Sequence, residues 1–165
     1  MYRKLEDFLD DWAGEAKATV RLLESLTDPS LEQRVTPEGR SLGQVARHLT
    51  LTLGEMLRRA GLPIDAPGDD APVPALARTI RDTYQQNAEA LGEQVRQHWS
   101  DAMLTDELQM YGETWKRGDV LSALVMHQAH HRGQMTVLMR QTGLRVPGVY
   151  GPAREERATY KMPAP

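Results

Sequence analysis

Three of the chain's five histidines fall inside one stretch, DVLSALVMHQAHHRGQMTVLMRQTG, from Asp119 to Gly143. His127 and His131 are four residues apart, so on a helix they lie one above the other, roughly 6 Å apart at Cβ. That spacing lets two imidazoles reach one divalent ion. His48 supplies a third candidate ligand from a second apolar segment upstream. Three neutral imidazoles suit zinc, nickel or iron and leave one or more coordination positions for water or substrate, which separates catalytic sites from closed structural ones. A second reading has each histidine bonded only to a carbonyl or a carboxylate. Against it, the pair lies on a face that otherwise reads as core, where unpaired imidazoles are costly to bury.

Other polar residues surround this trio. Gln128 follows His127 where the zinc-protease motif H-E-x-x-H has glutamate, so any group that moves a proton must come from elsewhere. Glu55 lies seven residues after His48, two turns along the same face and roughly 10 Å by helical rise. It is the candidate acid/base residue, with a solvated place at the helix margin as the alternative. His130 is offset by one residue from the pair and points elsewhere, to packing, an outer contact or an interface. Arg132 and Gln134 either orient a ligand, connect subunits or lie on a wet face. Trp12, Trp99 and Trp115 line a pocket or serve as core and interface aromatics.

The elements that must position these groups are helical. Leu5, Phe8, Leu9, Trp12, Ala16, Thr19, Leu23 and Leu26 recur every three or four residues and predict a first helix over about 2–26. Ser41-Leu42-Gly43-Gln44 is a capping box that opens a second helix, ended near Ala60 by Gly61-Leu62-Pro63. The Pro-, Asp- and Gly-rich IDAPGDDAPVPA reads as an exposed loop. A third helix is expected over about 73–99, with Leu76, Ile80, Tyr84, Asn87, Leu91 and Val95 inward. Residues 100–118 read as a short helix, an extended turn, or both in succession. Asp119 is the expected cap of the fourth helix, and Gly143 its C-terminal glycine. From about residue 144 the tail has no sustained period and wraps the surface or frays. Helices of 20 to 27 residues, about 30–40 Å long, suit a four-helix bundle. The fourth is apolar on two faces. Ala123, Met126, His130, Gly133 and Val137 make the second, which a partner subunit could cover in a homodimer.

Composition narrows the function. The chain has 165 residues, one domain by size, and its single Phe leaves a core of Leu, Val, Ala and Met, which suits packed helices. A net charge of −3 and no Lys/Arg run argue against a nucleic-acid partner. Arg47, Arg58, Arg59, Arg78 and Arg81 are not forced onto one patch by their spacing. With no cysteine, disulfides, a cysteine nucleophile and thiolate ligands are all excluded. No apolar run approaches the roughly 20 residues of a membrane span. No signal-peptide pattern opens the chain, so a cytoplasmic protein is expected.

His127, His131, Arg132, Gly133 and Gln134, followed by Leu138, Arg140 and Gly143, resemble the H-x-x-x-H-R-G-Q signature of the DinB/YfiT-like family. His48, in SLGQVARHLTLTLGEM, matches that family's first metal histidine by its place in the second helix. The resemblance implies an all-α four-helix bundle of up-down-down-up connectivity. It also implies a nickel or zinc ion held by His48, His127 and His131, a homodimer, and a link to stress response through the DNA-damage-inducible genes behind the name. Related members use the metal to activate a low-molecular-weight thiol, and this implies thiol transfer to a small electrophile. The alternatives are a metal-dependent hydrolase working through bound water and a metal-binding dimer without turnover.

Overall fold

The structure is a computed structural model and describes residues 1–65, 68 and 71–163. Four helices form the bundle: α1 (Leu5–Glu24), α2 (Leu42–Arg59), α3 (Ala77–His98) and α4 (Arg117–Gln141). Each of α1 and α2 packs against both α3 and α4, so helices adjacent in sequence at either end of the chain sit diagonally. Their directions follow from particular contacts. The Tyr2 N–H donates to Gly118 O at the start of α4, and Arg132 farther along α4 pairs with Glu15, so α1 and α4 run parallel. The Trp12 indole donates to Ala88 O while Thr19 lies against Tyr84, which makes α1 and α3 antiparallel. Gln33 meets Gln141 and His48 meets His127, so α2 opposes α4. The result is up-down-down-up, as expected.

This connectivity sets the loops. Because α2 and α3 point the same way, the connector from Ala60 must run back along the 18-residue helix α2, roughly 27 Å at 1.5 Å per residue. Part of the predicted loop, residues 66, 67, 69 and 70, lies outside the described residues. Its first residue, Ile64, is buried in the core rather than exposed. The ends of α2 follow from its sequence. Gln44 N donates to Ser41 Oγ at 3.2 Å, Ser41 N donates to Gln44 Oε1 at 2.7 Å, and Gly61 takes φ 88° just past the last turn. Gly143, φ 75°, closes α4 in the same way: its N–H bonds Arg140 O and the next N–H bonds Met139 O.

Several expected boundaries move. α1 covers Leu5–Glu24 rather than 2–26, because Tyr2 and its neighbours are tied to the start of α4 and Asp101. α3 begins at Ala77 rather than 73, and Leu76 is its exposed N-terminal flank, not an inward residue. α4 starts at Arg117, two residues before the expected Asp119 cap. Gly118 is required there, since a Cβ would stand 2.4 Å from Tyr2 O. Residues 100–118 contain a 3-10 turn, Asp101–Thr105, and then an antiparallel hairpin of β1 (Glu107–Met110) and β2 (Glu113–Lys116).

The core runs along the bundle axis through Phe8, Leu22, Leu49, Leu53, Tyr84, Leu91, Leu124 and Met135, all fully buried. Each such aliphatic side chain contributes about 1.5–3 kcal/mol. The described tail wraps the bundle rather than fraying from residue 144: Val146 is buried, Tyr150 reaches Glu15 on α1, and Glu155 pairs with Arg140 on α4.

Candidate metal centre

α2 and α4 meet with His48 facing His127 and His131. Their ligand-capable atoms all lie within 4.8 Å of one another. His127 Nε2 is 3.2 Å from His48 Nε2 and 3.1 Å from His131 Nε2. With metal–nitrogen bonds of about 2.0–2.1 Å, the ligand–ligand edge is about 3.3 Å in a tetrahedron and about 2.9 Å in an octahedron. Both spacings to His127 fall between these, and His48 and His131 lie within 4.8 Å of each other, so the three donors can close on one divalent ion with a small side-chain adjustment.

Electrostatics agree. Burial first, then the neighbouring His131 and His48, lowers the His127 pKa to about 4, and burial likewise lowers that of His131. Both rings are therefore neutral near pH 7. One Nε2–H of His127 can bridge to only one of its two neighbours, which leaves lone pairs facing each other. A cation between them removes that repulsion. His127 Nδ1 is also buried without a hydrogen-bond partner among the described residues.

The neighbours of these ligands fix their aim. The His131 Nδ1 is 2.7 Å from Gln134 Oε1, an arrangement that puts the ring proton on Nδ1 and frees Nε2 to coordinate. The Gln134 amide in turn donates to the exposed His130 at 3.1 Å. His130 is thus an outer contact, one of the three places open to it, and stands outside the three-histidine cluster. Gln128 is fully buried and clamps three helices: Tyr84 OH donates to its Oε1 at 3.0 Å, and its Nε2 donates to Leu49 O at 3.2 Å. This holds α4 against α2 one residue from each of His127 and His48.

The DinB family model matches residues 1–162. The chain belongs to the DinB family. It is 44% identical over 165 residues to the uncharacterized protein YrdA of Bacillus subtilis (strain 168), spanning 100% of this chain and 99% of that one. A crystal structure of a DinB-like protein from Bacillus cereus ATCC 10987 is similar at a TM-score of 0.88 and 42% identity, covering 91% of this chain and 100% of that chain. The DinB-like protein YjoA of Bacillus subtilis shares the fold, with a TM-score of 0.64 at 17% identity over 83% of this chain and 92% of its own.

Glu55 lines the same cavity as His48 and His127, together with Thr52, Tyr111 and Trp115. Its carboxylate accepts from Tyr111 OH at 2.6 Å and pairs with Arg59 one turn on. It is therefore neither a lone solvated residue nor a direct neighbour of all three histidines. Burial, followed by the Glu55 hydrogen bond, raises the Tyr111 pKa, so this phenol stays protonated near neutrality. A second cavity, lined by Arg40, His131, Gln134 and Val137, lies on the other side of the trio.

Arg132 is not on a wet face. It is fully buried, paired with Glu15, bonded to Glu15 O at 2.7 Å and Thr19 Oγ1 at 3.1 Å, and closed off by the Tyr150 hydroxyl. In this DinB-family chain it anchors α4 to α1. The contributions of Tyr111, Gln128 and the Glu15 pairing are not visible in any local motif. Trp12 and Trp99 are core residues, and only Trp115 lines the candidate site.

Proposed function

We propose that the protein is a cytoplasmic metal-dependent enzyme in which His48, His127 and His131 hold a nickel or zinc ion, and which transfers a low-molecular-weight thiol to a small electrophile. The observation that carries this reading is the convergence of three histidine imidazoles beside an accessible cavity of about 400 Å³. A divalent ion there would lower the pKa of a thiol and orient its sulfur. The chain has no cysteine, so the sulfur comes from a cosubstrate.

The chain's own groups have defined tasks in this reading. The three imidazoles bind, and Gln134 fixes the tautomer of His131. Glu55 accepts the thiol proton while the sulfur bonds to the electrophilic carbon and the leaving group departs with its electron pair. Tyr111 remains protonated and steadies Glu55. Leu51, Met56 and Trp115 exclude water. Arg40, in the second cavity beside His131, offers a partner for a carboxylate on the thiol.

A hydrolase is the alternative that the same cavity favours, because Glu55 is a carboxylate able to take a proton from water. A closed metal shell without turnover is disfavoured by the cavity beside the trio. We place a homodimer contact on the second face of α4, where Met126 is 64% and Val137 53% exposed beside His130 and Gly133. Met126→Glu should then shift the protein to monomers in sedimentation, and an unchanged distribution would remove that contact.

The direct test is metal content in protein purified without a histidine tag or nickel column, followed by thiol and electrophile screens with the ion found. Near one ion per chain, lost in His48→Ala and His131→Ala, together with thioether formation above those controls, supports the transferase. Metal without thioether but with ester or amide cleavage would favour the hydrolase.

A further inference from the structure

The hairpin joins β1 to β2 through a two-residue turn, Tyr111-Gly112, with Met110 paired to Glu113 on either side. Both turn residues have positive φ, 52° and 85°, as a type I′ turn requires. Glycine enters that region freely, whereas a tyrosine there costs roughly 1–2 kcal/mol. Asparagine or a second glycine would close the hairpin better, so the turn alone does not account for the residue. What the tyrosine supplies is placement. Its hydroxyl bonds Glu55 at 2.6 Å, and its ring packs edge-on to Trp115 with centroids 5.8 Å apart. The Arg59 guanidinium lies 5.1 Å from its centroid.

Together these contacts hold two aromatic rings in the lining of the 400 Å³ cavity, with Leu51, Met56 and Ala123 on the helices opposite. Trp115 pairs across the strands with Leu108, and its indole N–H donates to Glu113 at 2.8 Å. That bond fixes the ring plane without occupying its face. The charge pattern narrows the ligand. Among the described residues, the lining holds one carboxylate, Glu55, and no Lys or Arg. Glu55 is already paired with Arg59. An anion would find no cation in the lining to receive it, and a cation would find the one carboxylate already taken.

We propose that the hairpin is a substrate-recognition wall, and that the cavity takes a flat, uncharged compound of one or two rings against Trp115 and Tyr111. The proposal deepens the reading above: it rests on that reading for placing the compound beside a reactive sulfur, but binding to the wall does not require the ion.

The test uses the whole protein, labelled with nitrogen-15, and follows its three indole N–H resonances. Metal-free protein is titrated with 2-naphthol and separately with 2-naphthoate, and zinc binding is measured on the same samples. The expected result is a saturable shift of the Trp115 resonance with 2-naphthol, while Trp12 and Trp99 hold still. Naphthoate should bind at least tenfold more weakly. Trp115→Leu should weaken naphthol binding at least tenfold. Tyr111→Gly, which suits the positive φ and so preserves the hairpin, should weaken it severalfold. A Trp115 resonance that does not move, equal affinity for the two probes, or unchanged binding in a folded Trp115→Leu variant would overturn the wall. Zinc uptake without naphthol binding defeats this inference and spares the metal centre; naphthol binding without zinc uptake does the reverse.

Discussion

His131 and Arg132 are consecutive on α4, and they serve two seams of opposite character. On the α2 side, three imidazoles meet with their lone pairs converging and cavities on either side. On the α1 side, Arg132 finds a carboxylate, a carbonyl and two hydroxyls in a closed setting. Both seams bury polar atoms between helices, where an unmatched group costs stability. Each leaves one buried nitrogen without a partner among the described residues, Arg132 Nε on one side and His127 Nδ1 on the other, but only the Arg132 charge is matched within the chain, by the Glu15 carboxylate. A buried charge matched in a closed seam holds the bundle together, and imidazoles gathered beside open space mark the place for a ligand.

The largest expected effect comes from breaking the closed seam. Glu15→Ala would leave the Arg132 charge buried without its partner, a loss of about 3–5 kcal/mol. Urea denaturation should show that loss, while zinc stoichiometry of the still-folded protein stays at that of the wild type. A cost below about 1 kcal/mol, the scale of exposed pairs, would mean the seam is not closed.

Breaking the open seam should do the opposite. His48→Ala removes a ligand and relieves facing lone pairs, so zinc binding in calorimetry should fall by at least a hundredfold. Stability of the metal-free protein should fall by less than in Glu15→Ala, because the substitution leaves no buried charge behind. If metal-free His48→Ala were as unstable as Glu15→Ala, the histidines would be structural and the contrast would vanish. A smaller effect is expected one step out. Gln134→Leu deprives His131 of its orienting acceptor and should cost about 10–100-fold in zinc affinity. Equal affinity would show that helix packing alone aims the ring.

The two seams were also unequally legible in the sequence. The metal seam announces itself, because His127 and His131 sit at helical spacing and His48 lies in a strongly periodic helix with a clear cap at Ser41. The Glu15–Arg132 pair carries no such sign: its members are 117 residues apart, and nothing local says which face of α1 meets α4. The hairpin was hidden for a different reason. Its strands are four residues each, and Tyr-Gly is not the Asn-Gly or Asp-Gly pair that signals a type I′ turn. α4 itself reads ambiguously because apolar residues lie all round it; packing covers Leu124 and Met135 but leaves Met126 and Val137 exposed.

The subtlest distinction between the seams is in their response to acid. His127 has a folded pKa of about 4, against about 6.5 in the unfolded chain. Between those values the unfolded state takes up a proton that the folded state refuses, so metal-free stability is fully present above pH 6.5 and falls as pH drops toward 4. The lowered pKa of His131 acts in the same direction. Among the described residues the other lowered groups, Glu155 and Glu156, start from 4.5 and so act at the acid end of this window, below pH 5. A urea-midpoint series from pH 7 to pH 5 therefore isolates the histidines. In metal-free protein the midpoint should decline across that range, and His127→Leu should flatten most of the decline because it removes the group that must stay neutral. Glu15→Ala should lower the whole curve without changing its slope. Parallel curves for wild type and His127→Leu would show that His127 is not held neutral by its burial, and its lone pair would then be no ready donor to a cation.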